Sequence, residues 1–488
     1  MKIINIIILV LLALFQGVFS VAAEYLQAPV AIHISSTISD GDLPLEEIVR
    51  LARNNGFQAV VITDRDYLQW EYGLWPLRNL IKTRQSMPSL ATYGAGKYLE
   101  RIAALQQQYN DIIIIPGTES APFYYWEGSP YTQNFKLKNW HKHILVIGLD
   151  KAADYENLPS VVNKKSLRQP WETADLKLLW PFLLLILGVI CIRKRKYNYS
   201  DEQGHALGPY SGFWRTLGLT IIFFSLLGIV NNYPYRRLAF DQYHGDKGTQ
   251  PYQFLIDYAE RHGALTYWAH PEATNISQRS DISIETGYDA DNLLRTQRYT
   301  GFAIFYDGFN KIGKIGGLWD TILKEYCAGQ RSTPIWSIAA VAYDQGGNLD
   351  SRLQSLETVA LVSELSQAAI LEALKKGRLY VIEGDRKLRL QQFKITDTKT
   401  QVASVAGEQL RVQGYPQLEI SGGGVPGPVK IQLVRNGLKI KTFEVKTPFM
   451  INYTDKIHEA GKKIYYRLEI SNEKTVLVTN PVFVDFSE

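Results

Sequence analysis

Cysteine is nearly absent: the 488 residues hold two, Cys191 and Cys327. The first lies inside an apolar run and the second in a polar region, so no disulfide is expected between them. A strong charge of one sign is lacking as well. A net charge of +5 is small for this length and leaves no electrostatic footprint of a nucleic-acid binder, so no nucleic-acid partner is expected. Apolar content of 46% and charged content of 21% are those of an ordinary folded protein, with room for two or three domains.

What is present begins with an export signal. Met1-Lys2 precedes the apolar run Ile3 to Phe19 and the small residues Ser20-Val-Ala-Ala23. Residues 1–23 read as a signal peptide cleaved after Ala23, or as an uncleaved anchor. Either way Lys2 stays inside and the rest of the chain is exported.

A second membrane signal lies inside the chain. Leu178 to Ile192 is uninterrupted apolar sequence, followed at once by Arg193-Lys-Arg-Lys196, and a further apolar run covers Leu217 to Val230. With apolar flanks and snorkelling side chains, each core reaches the roughly 20 residues needed to cross a bilayer. Pro181 sits in the first turns of its run, where a missing amide donor costs least. The expectation is an insertion over residues 151–250 with transmembrane helices at about 176–193 and 214–231. Two buried core helices are the competing reading, and the basic block weighs against it. Basic loops favour the cytoplasm, which places residues 193–215 inside. Lys164, Lys165, Arg168, Arg236 and Arg237 on the outer flanks soften that contrast. Two crossings return the chain to the side it left, so the sequence on both flanks can belong to one domain. The expected location is the cell membrane, with the folded domains on its periplasmic or extracellular side.

Residues 24–150 and 251–385 alternate short apolar runs with helical patterns, an α/β arrangement with a parallel sheet. The first helix is clear: Leu45, Ile48, Val49 and Ala52 form one face, Asp42 can cap it, Pro44 sits in its first turn and Gly56 ends it. The predicted strands are Val30–Ile34, Ala59–Thr63, Ile112–Pro116, His143–Gly148, Ala264–Ala269, Phe302–Tyr306 and Ile335–Ala340. Asp64, Glu119, His270, Asp307 and Tyr343 fall at or just past strand ends, as rim residues of a barrel-like sheet do. His33 is near such an end, while His143 opens its strand.

The order of these residues resembles the PHP family, the polymerase and histidinol phosphatase domain. The matching motifs are His33-Ile34-Ser35, Ser39-Asp40-Gly41, Thr63-Asp64-Arg65, Pro116-Gly-Thr-Glu119, the strand-leading His143, Ala269-His-Pro271 and Val341-Ala342-Tyr343. Ser363 to Tyr380 is similar to the family's closing helix. The resemblance implies a distorted seven-stranded β/α barrel, here interrupted by the transmembrane hairpin, with two or three metal ions for phosphoester hydrolysis. The departures are selective. Ser35 stands for the second histidine of the opening motif, Arg65 for the histidine of Thr-Asp-His, and Val341 and Tyr343 for the final pair. Carried over position by position, one ion site keeps all its ligands, Glu119, His143 and His270. A second keeps His33 and Glu119, and a third keeps only Asp40.

Two histidines and a carboxylate suffice for one divalent ion with an open position for water, whose pKa falls towards roughly 7. Imidazole with carboxylate suits zinc, manganese or iron. The candidate ligands are His33, Asp40, Glu119, His143 and His270, with Arg65 and Asp64 as candidate catalytic residues. Arg65 can pair with a phosphate oxygen, or it can occupy the place of a lost cation. Asp40 can equally cap a helix, Asp64 can merely fix a turn, and each histidine alone can be a hydrogen-bonded structural residue. His141, His244 and His262 have no motif support and are expected at the surface. Aromatic residues at Trp70, Tyr72, Trp75, at 123–126 and at Tyr267-Trp268 can stack on sugars, meet the bilayer interface or simply pack. Because the insertion separates the strands of His143 and His270, a small-molecule or envelope phosphoester or a glycan is the expected ligand.

From 386 to 488 the pattern becomes short alternating strands, with Arg435-Asn-Gly437 marking a hairpin. This reads as a β-sandwich without a ligand cluster, open to docking a protein partner or to supporting the barrel. Two functions follow: an exported, membrane-tethered metal-dependent hydrolase, or a catalytically impaired binding or sensory protein of the envelope.

Overall fold

The computed structural model describes residues 25–487 except 133, 197–198, 201–205, 208–209, 280–281 and 289. The expected signal peptide over residues 1–23 lies outside them. The chain forms two compact units. One holds the described residues up to Tyr67, Pro88–Leu158 and everything from Gly245 onward, and the other holds Leu68–Met87 and Pro159–His244.

The first unit is mixed α/β. Seven strands lie side by side in chain order: β1 (Leu26–Ile34), β2 (Ala59–Ile62), β3 (Ile113–Ser120), β4 (Ile144–Ile147), β5 (Leu265–Trp268), β6 (Gly301–Phe305) and β7 (Trp336–Ala339). Their apolar runs are buried almost throughout, as strands covered on both faces must be. Beyond β7, Val341 N donates to Ile32 O at 2.7 Å and Ser35 N to Tyr343 O at 3.0 Å, tying the chain after β7 to the end of β1.

The sheet is not wholly parallel. β1, β2 and β3 run parallel, as do β5, β6 and β7, but β4 is antiparallel to both β3 and β5. This reversal has a chemical consequence. Ile144 opposes Ser120, so His143, just before β4, lies at the end of the sheet where β3 finishes.

The helix after β1 is α1 (Leu45–Asn54). It buries Leu45, Ile48, Val49 and Ala52 on one face, and Glu46, Glu47 and Arg53 complement its dipole. Gly56 follows with φ 78, the left-handed turn that ends many helices. The expected cap is corrected: Pro44 occupies the N-cap with no side-chain hydrogen bond, and Asp42 instead accepts from Gly346 N at 2.7 Å.

The main sheet continues past β1 without a break. β8 (Leu356–Val362) pairs with β1, and β9 (Leu379–Gly384) lies between β8 and Thr475–Thr479. A second sheet contains Arg389–Asp397, Pro416–Gly423 and Phe449–Thr454. Leu390, Phe393, Leu418 and Ile420 from it meet Ile431, Leu433, Leu468 and Ile470 from the first in one apolar core. The predicted hairpin is present. Arg435 pairs with Leu438, and Asn436 and Gly437 take the positive φ values, 48 and 76, that a two-residue turn requires.

The second unit contains the two apolar helices, Trp180–Arg193 after a 3-10 turn and Gly212–Asn232. The segments Thr173–Arg193 and Gly212–Asn232 are long and apolar enough to cross a membrane. Only 22% and 17% of their apolar windows are buried within the chain, a low share for buried core helices. They pack through glycine: a Cβ on Gly218 would stand 2.6 Å from Gly188 O. A two-stranded hairpin, Gln69–Gly73 with Lys82–Ser86, belongs to the same unit. It buries Glu71 against Lys82 at 2.9 Å, Arg84 at 3.2 Å and Lys164 at 2.7 Å.

Candidate metal centre

β1 carries His33 at an irregularity. The β1–β2 register shifts between Ile32 and Ile34, and His33 sits in the shift with φ 72. Left-handed backbone is uncommon for a side-chain-bearing residue and marks a constrained position. Here the histidine ring, buried, places Nε2 2.9 Å from Glu119 Oε2. The turn that follows is clamped by Asp64. Its carboxylate accepts from Ser36 N at 2.8 Å, Ser36 Oγ at 2.8 Å and Ser39 Oγ at 2.6 Å. Gly41 closes the turn, where a Cβ would stand 2.2 Å from Ser35 O. Burial pushes the Asp64 carboxyl up, against the pull of these three hydrogen bonds. Asp64 thus shapes this loop, the turn-fixing role that was its alternative reading.

Glu119 near the end of β3, His143 before β4 and His270 after β5 converge. Glu119 Oε1 lies 2.7 Å from His143 Nδ1 and 3.5 Å from His270 Nε2, and the two histidine nitrogens are 3.0 Å apart. Ligand bonds of 2.0–2.2 Å in a tetrahedral sphere put neighbouring donor atoms roughly 3.3–3.6 Å apart; the 3.5 Å edge has that length, and a small divalent ion would need only a slight opening of the other two. Glu119 Oε1 is buried and makes no hydrogen bond of regular geometry, despite its close neighbours. An acceptor surrounded by ring nitrogens without a straight N–H···O suits a cation better than a hydrogen-bond network. This donor set therefore fits a single ion. It is the sole such group of histidine, cysteine and carboxylate side chains among the described residues.

The charge states agree with that use. Burial alone would raise the Glu119 carboxyl, but Arg65, His33 and His143 outweigh it and hold it well below the usual carboxylate range. Burial, helped by the Arg65 charge, drives His143 well below its ordinary value although Glu119 pulls the other way. His143 is thus neutral near pH 7, with a lone pair to offer.

Arg65 bounds the site on its other side. Its Nε donates to Asp40 Oδ2 at 2.9 Å, and its Nη1 lies 3.0 Å from Glu119 Oε1. The same Nη1 is 2.9 Å from each ring nitrogen of His143, so it cannot lie along the in-plane direction of both. Burial would lower the guanidinium pKa, but Glu119 and Asp40 raise it, so it stays charged. Asp40 is accordingly occupied by Arg65 and caps no helix. Tyr343 and Val341 are buried and donate main-chain bonds to β1, and Ser35, also buried, donates its N–H to Tyr343 O.

The structure adds neighbours that motif order did not reveal. His141 is half-buried, 5.9 Å from the His143 ring, and burial pushes it down to about 4. This corrects its expected surface position. Its spacing of two from His143 is a strand-like signal that could have flagged it. Asp66, buried, accepts from Ser120 Oγ at 2.6 Å and is raised by burial to about 7. A cleft of about 20 Å³, room for one water, is lined by His141, His143, Trp268 and His270, among others. Trp268 Nε1 is buried without a hydrogen-bond partner. Asp307 is exposed and shares no ion pair with the cluster among the described residues, and His244 and His262 pair with Asp241 and Tyr258 elsewhere. Of the three uses open to the aromatic residues at 123–126 and 267–268, packing is the one seen: Trp126 stacks on Phe135 at 4.5 Å, and Phe123, Tyr124, Tyr267 and Trp268 are buried.

No family model matches the chain, and no curated protein matches it. Solved structures do. A two-domain protein from Bacteroides vulgatus, containing a predicted PHP-like metal-dependent phosphoesterase, aligns with a TM-score of 0.35 at 11% identity, over 94% of this chain and 96% of that one. A candidate metal-dependent phosphoesterase from Bifidobacterium adolescentis aligns at 0.28 and 12%, over 67% and 91%. An amidohydrolase from Chromobacterium violaceum, with sulfate and no metal, aligns at 0.27 and 13%, over 70% and 99%. Similarity at this level does not say what this chain does.

Proposed function

We propose that this chain is an exported, membrane-tethered hydrolase that uses one divalent ion to cleave a phosphoester. The observation that carries the reading is the triangle of Glu119 Oε1, His143 Nδ1 and His270 Nε2, with edges of 2.7, 3.0 and 3.5 Å. A zinc, manganese or iron ion held there supplies Lewis acidity and lowers the pKa of a water towards roughly 7. The chain's own residues do the rest. His33 holds Glu119 Oε2, which leaves Oε1 to face the imidazoles. Asp40 fixes the Arg65 plane through Nε, and Arg65 offers N–H groups to a phosphoryl oxygen, in place of a second ion. We also read β1–β7 as a distorted barrel closed by the main-chain bonds from residues 341–343 to β1.

The two apolar helices are the tether, and the folded parts lie on the periplasmic or extracellular side. The insertion containing them joins β4 to β5, whose ends carry His143 and His270, which makes a small-molecule or envelope phosphoester the favoured substrate class. A panel of aryl phosphomonoesters and diesters, assayed with detergent-purified protein, tests the reading. Turnover that Glu119→Gln lowers at least about a hundredfold is the expected result. Equal turnover by that variant, or none by the parent with any divalent ion, contradicts it.

One observation favours a second reading, a ligand-binding or sensory protein without turnover. Arg65 Nη1 lies 3.0 Å from Glu119 Oε1 and 2.9 Å from His143, so the chain carries a cation of its own where an ion would approach.

A further inference from the structure

The second unit contains an element that hydropathy alone would not assign to a membrane. The strands Gln69–Gly73 and Lys82–Ser86 are joined by residues 74–81, Leu-Trp-Pro-Leu-Arg-Asn-Leu-Ile. An apolar turn of this kind is normally folded inward. Here Trp75 is 79% exposed, and Leu80 and Ile81 are exposed as well. Exposed clustered apolar side chains mark a contact surface.

The turn is held in one place by polar bonds. Asn79 N donates to Asn231 Oδ1 at 2.9 Å, and Asn79 Nδ2 donates to Asn231 O at 2.8 Å. Lys164 Nζ donates to Asn79 Oδ1 at 2.9 Å, Gly73 N donates to Tyr243 OH at 2.9 Å, and the Arg78 guanidinium lies 4.1 Å above the Tyr243 ring. Asn231 is the penultimate residue of the helix Gly212–Asn232. Asn232 Nδ2 reaches Leu178 O at 2.9 Å, so the start of the other apolar helix lies at this same end. The turn is therefore fastened where both helices would leave the hydrocarbon.

That end carries the residues of a bilayer interface. Trp171, Leu176, Trp180 and Tyr233 are exposed there, Tyr233 at 74%. Tryptophan and tyrosine gather at the headgroup level because one part of the ring system is apolar and another seeks water. Charge points the same way. Residues 69–86 hold Arg78, Lys82 and Arg84 against the single acid Glu71, three cations less one anion, or +2. Cations beside an aromatic rim suit anionic headgroups.

We propose that the turn of residues 74–81 is a third membrane contact, with Trp75, Leu80 and Ile81 inserted at the boundary between headgroups and acyl chains of the bilayer that the two helices cross. The inference rests on the membrane-spanning reading of those helices. It does not depend on the metal centre, which involves other residues.

The test uses the full chain with Cys191 and Cys327 replaced by alanine, reconstituted in nanodiscs of phosphatidylcholine with phosphatidylglycerol. Single spin labels are placed at Trp75→Cys, at Ile81→Cys, at Phe223→Cys on the exposed side of the second helix, and at the exposed Met450→Cys of the C-terminal sheets. Relaxation by oxygen, which concentrates in lipid, is compared with relaxation by a water-soluble nickel chelate. The inference expects positions 75, 81 and 223 to favour oxygen and position 450 to favour nickel. If 223 favours oxygen while 75 and 81 behave like 450, the third contact is wrong and the helix reading stands. If 223 also behaves like 450, the helix reading fails and the inference falls with it. The two labels in the turn guard against one variant that disturbs folding.

Discussion

Of the acids buried beside cations, Glu71, Asp320 and Glu119 make the clearest contrast, because only Glu119 has partners that can hold a metal. Glu71 is enclosed by Lys82, Arg84 and Lys164, and Asp320 is clasped by Arg467 at 2.7 and 2.8 Å with Tyr465 OH at 2.8 Å. Glu119 also has an arginine, but its other partners are His33, His143 and His270. Lysine and arginine can only donate, so Glu71 and Asp320 are satisfied as they stand. Neutral histidine keeps a lone pair, so the partners of Glu119 can turn from hydrogen bonding to ligation. Burial alone does not separate structure from chemistry. The partner's ability to accept a cation does.

The sharpest way to break this comparison is to strip a donor-only acid of its partner. Arg467→Ala leaves Asp320 as an uncompensated buried charge and should cost about 3–5 kcal/mol. A urea titration of the detergent-solubilised chain reads the loss, and metal content per folded molecule should not change. A falling metal content would mean that the two acids are not independent.

A smaller effect is expected where the cation competes with an ion. Arg65→Met removes a positive charge 3.0 Å from Glu119 Oε1 and should tighten zinc binding at least about tenfold, measured by isothermal titration calorimetry. Weaker binding would show that Arg65 supports the site instead of crowding it.

The mildest test concerns Glu71. Burial would raise its carboxyl, but Lys164 and Lys82 lower it from 4.5 to about 2. The folded state then holds fewer protons than the unfolded chain. Its stabilisation is complete above about 4.5 and is lost as pH falls towards 2. Thermal melts between those limits should show the parent losing stability with acid more steeply than Glu71→Gln. Parallel curves would remove Glu71 from the account.

Much of the architecture is legible because it is local. Apolar runs such as Ala59–Ile62 and Ile144–Ile147, bounded by turn residues, announce their strands, and Asn436-Gly437 announces its hairpin. The trio of Glu119, His143 and His270 is legible through motif order. What stays hidden is settled by pairing over long sequence distance. The reversal of β4 depends on its neighbours, and no single residue of β4 encodes it. Asp64 looks catalytic at its strand end until Ser36 and Ser39 close on it. Asp320 and Arg467 stand 147 residues apart and share no pattern. Glu71 gives no hint of burial, because its cations come from its own hairpin and from Lys164.

The central claim is that Glu119, His143 and His270 hold one ion. Elemental mass spectrometry on detergent-purified protein, beside the His143→Ala/His270→Ala variant, tests it most directly. The account predicts about one zinc, manganese or iron ion per chain in the parent and none in the variant. No metal in a folded parent supplied with these ions would contradict it, and would leave Arg65 as the cation of the site.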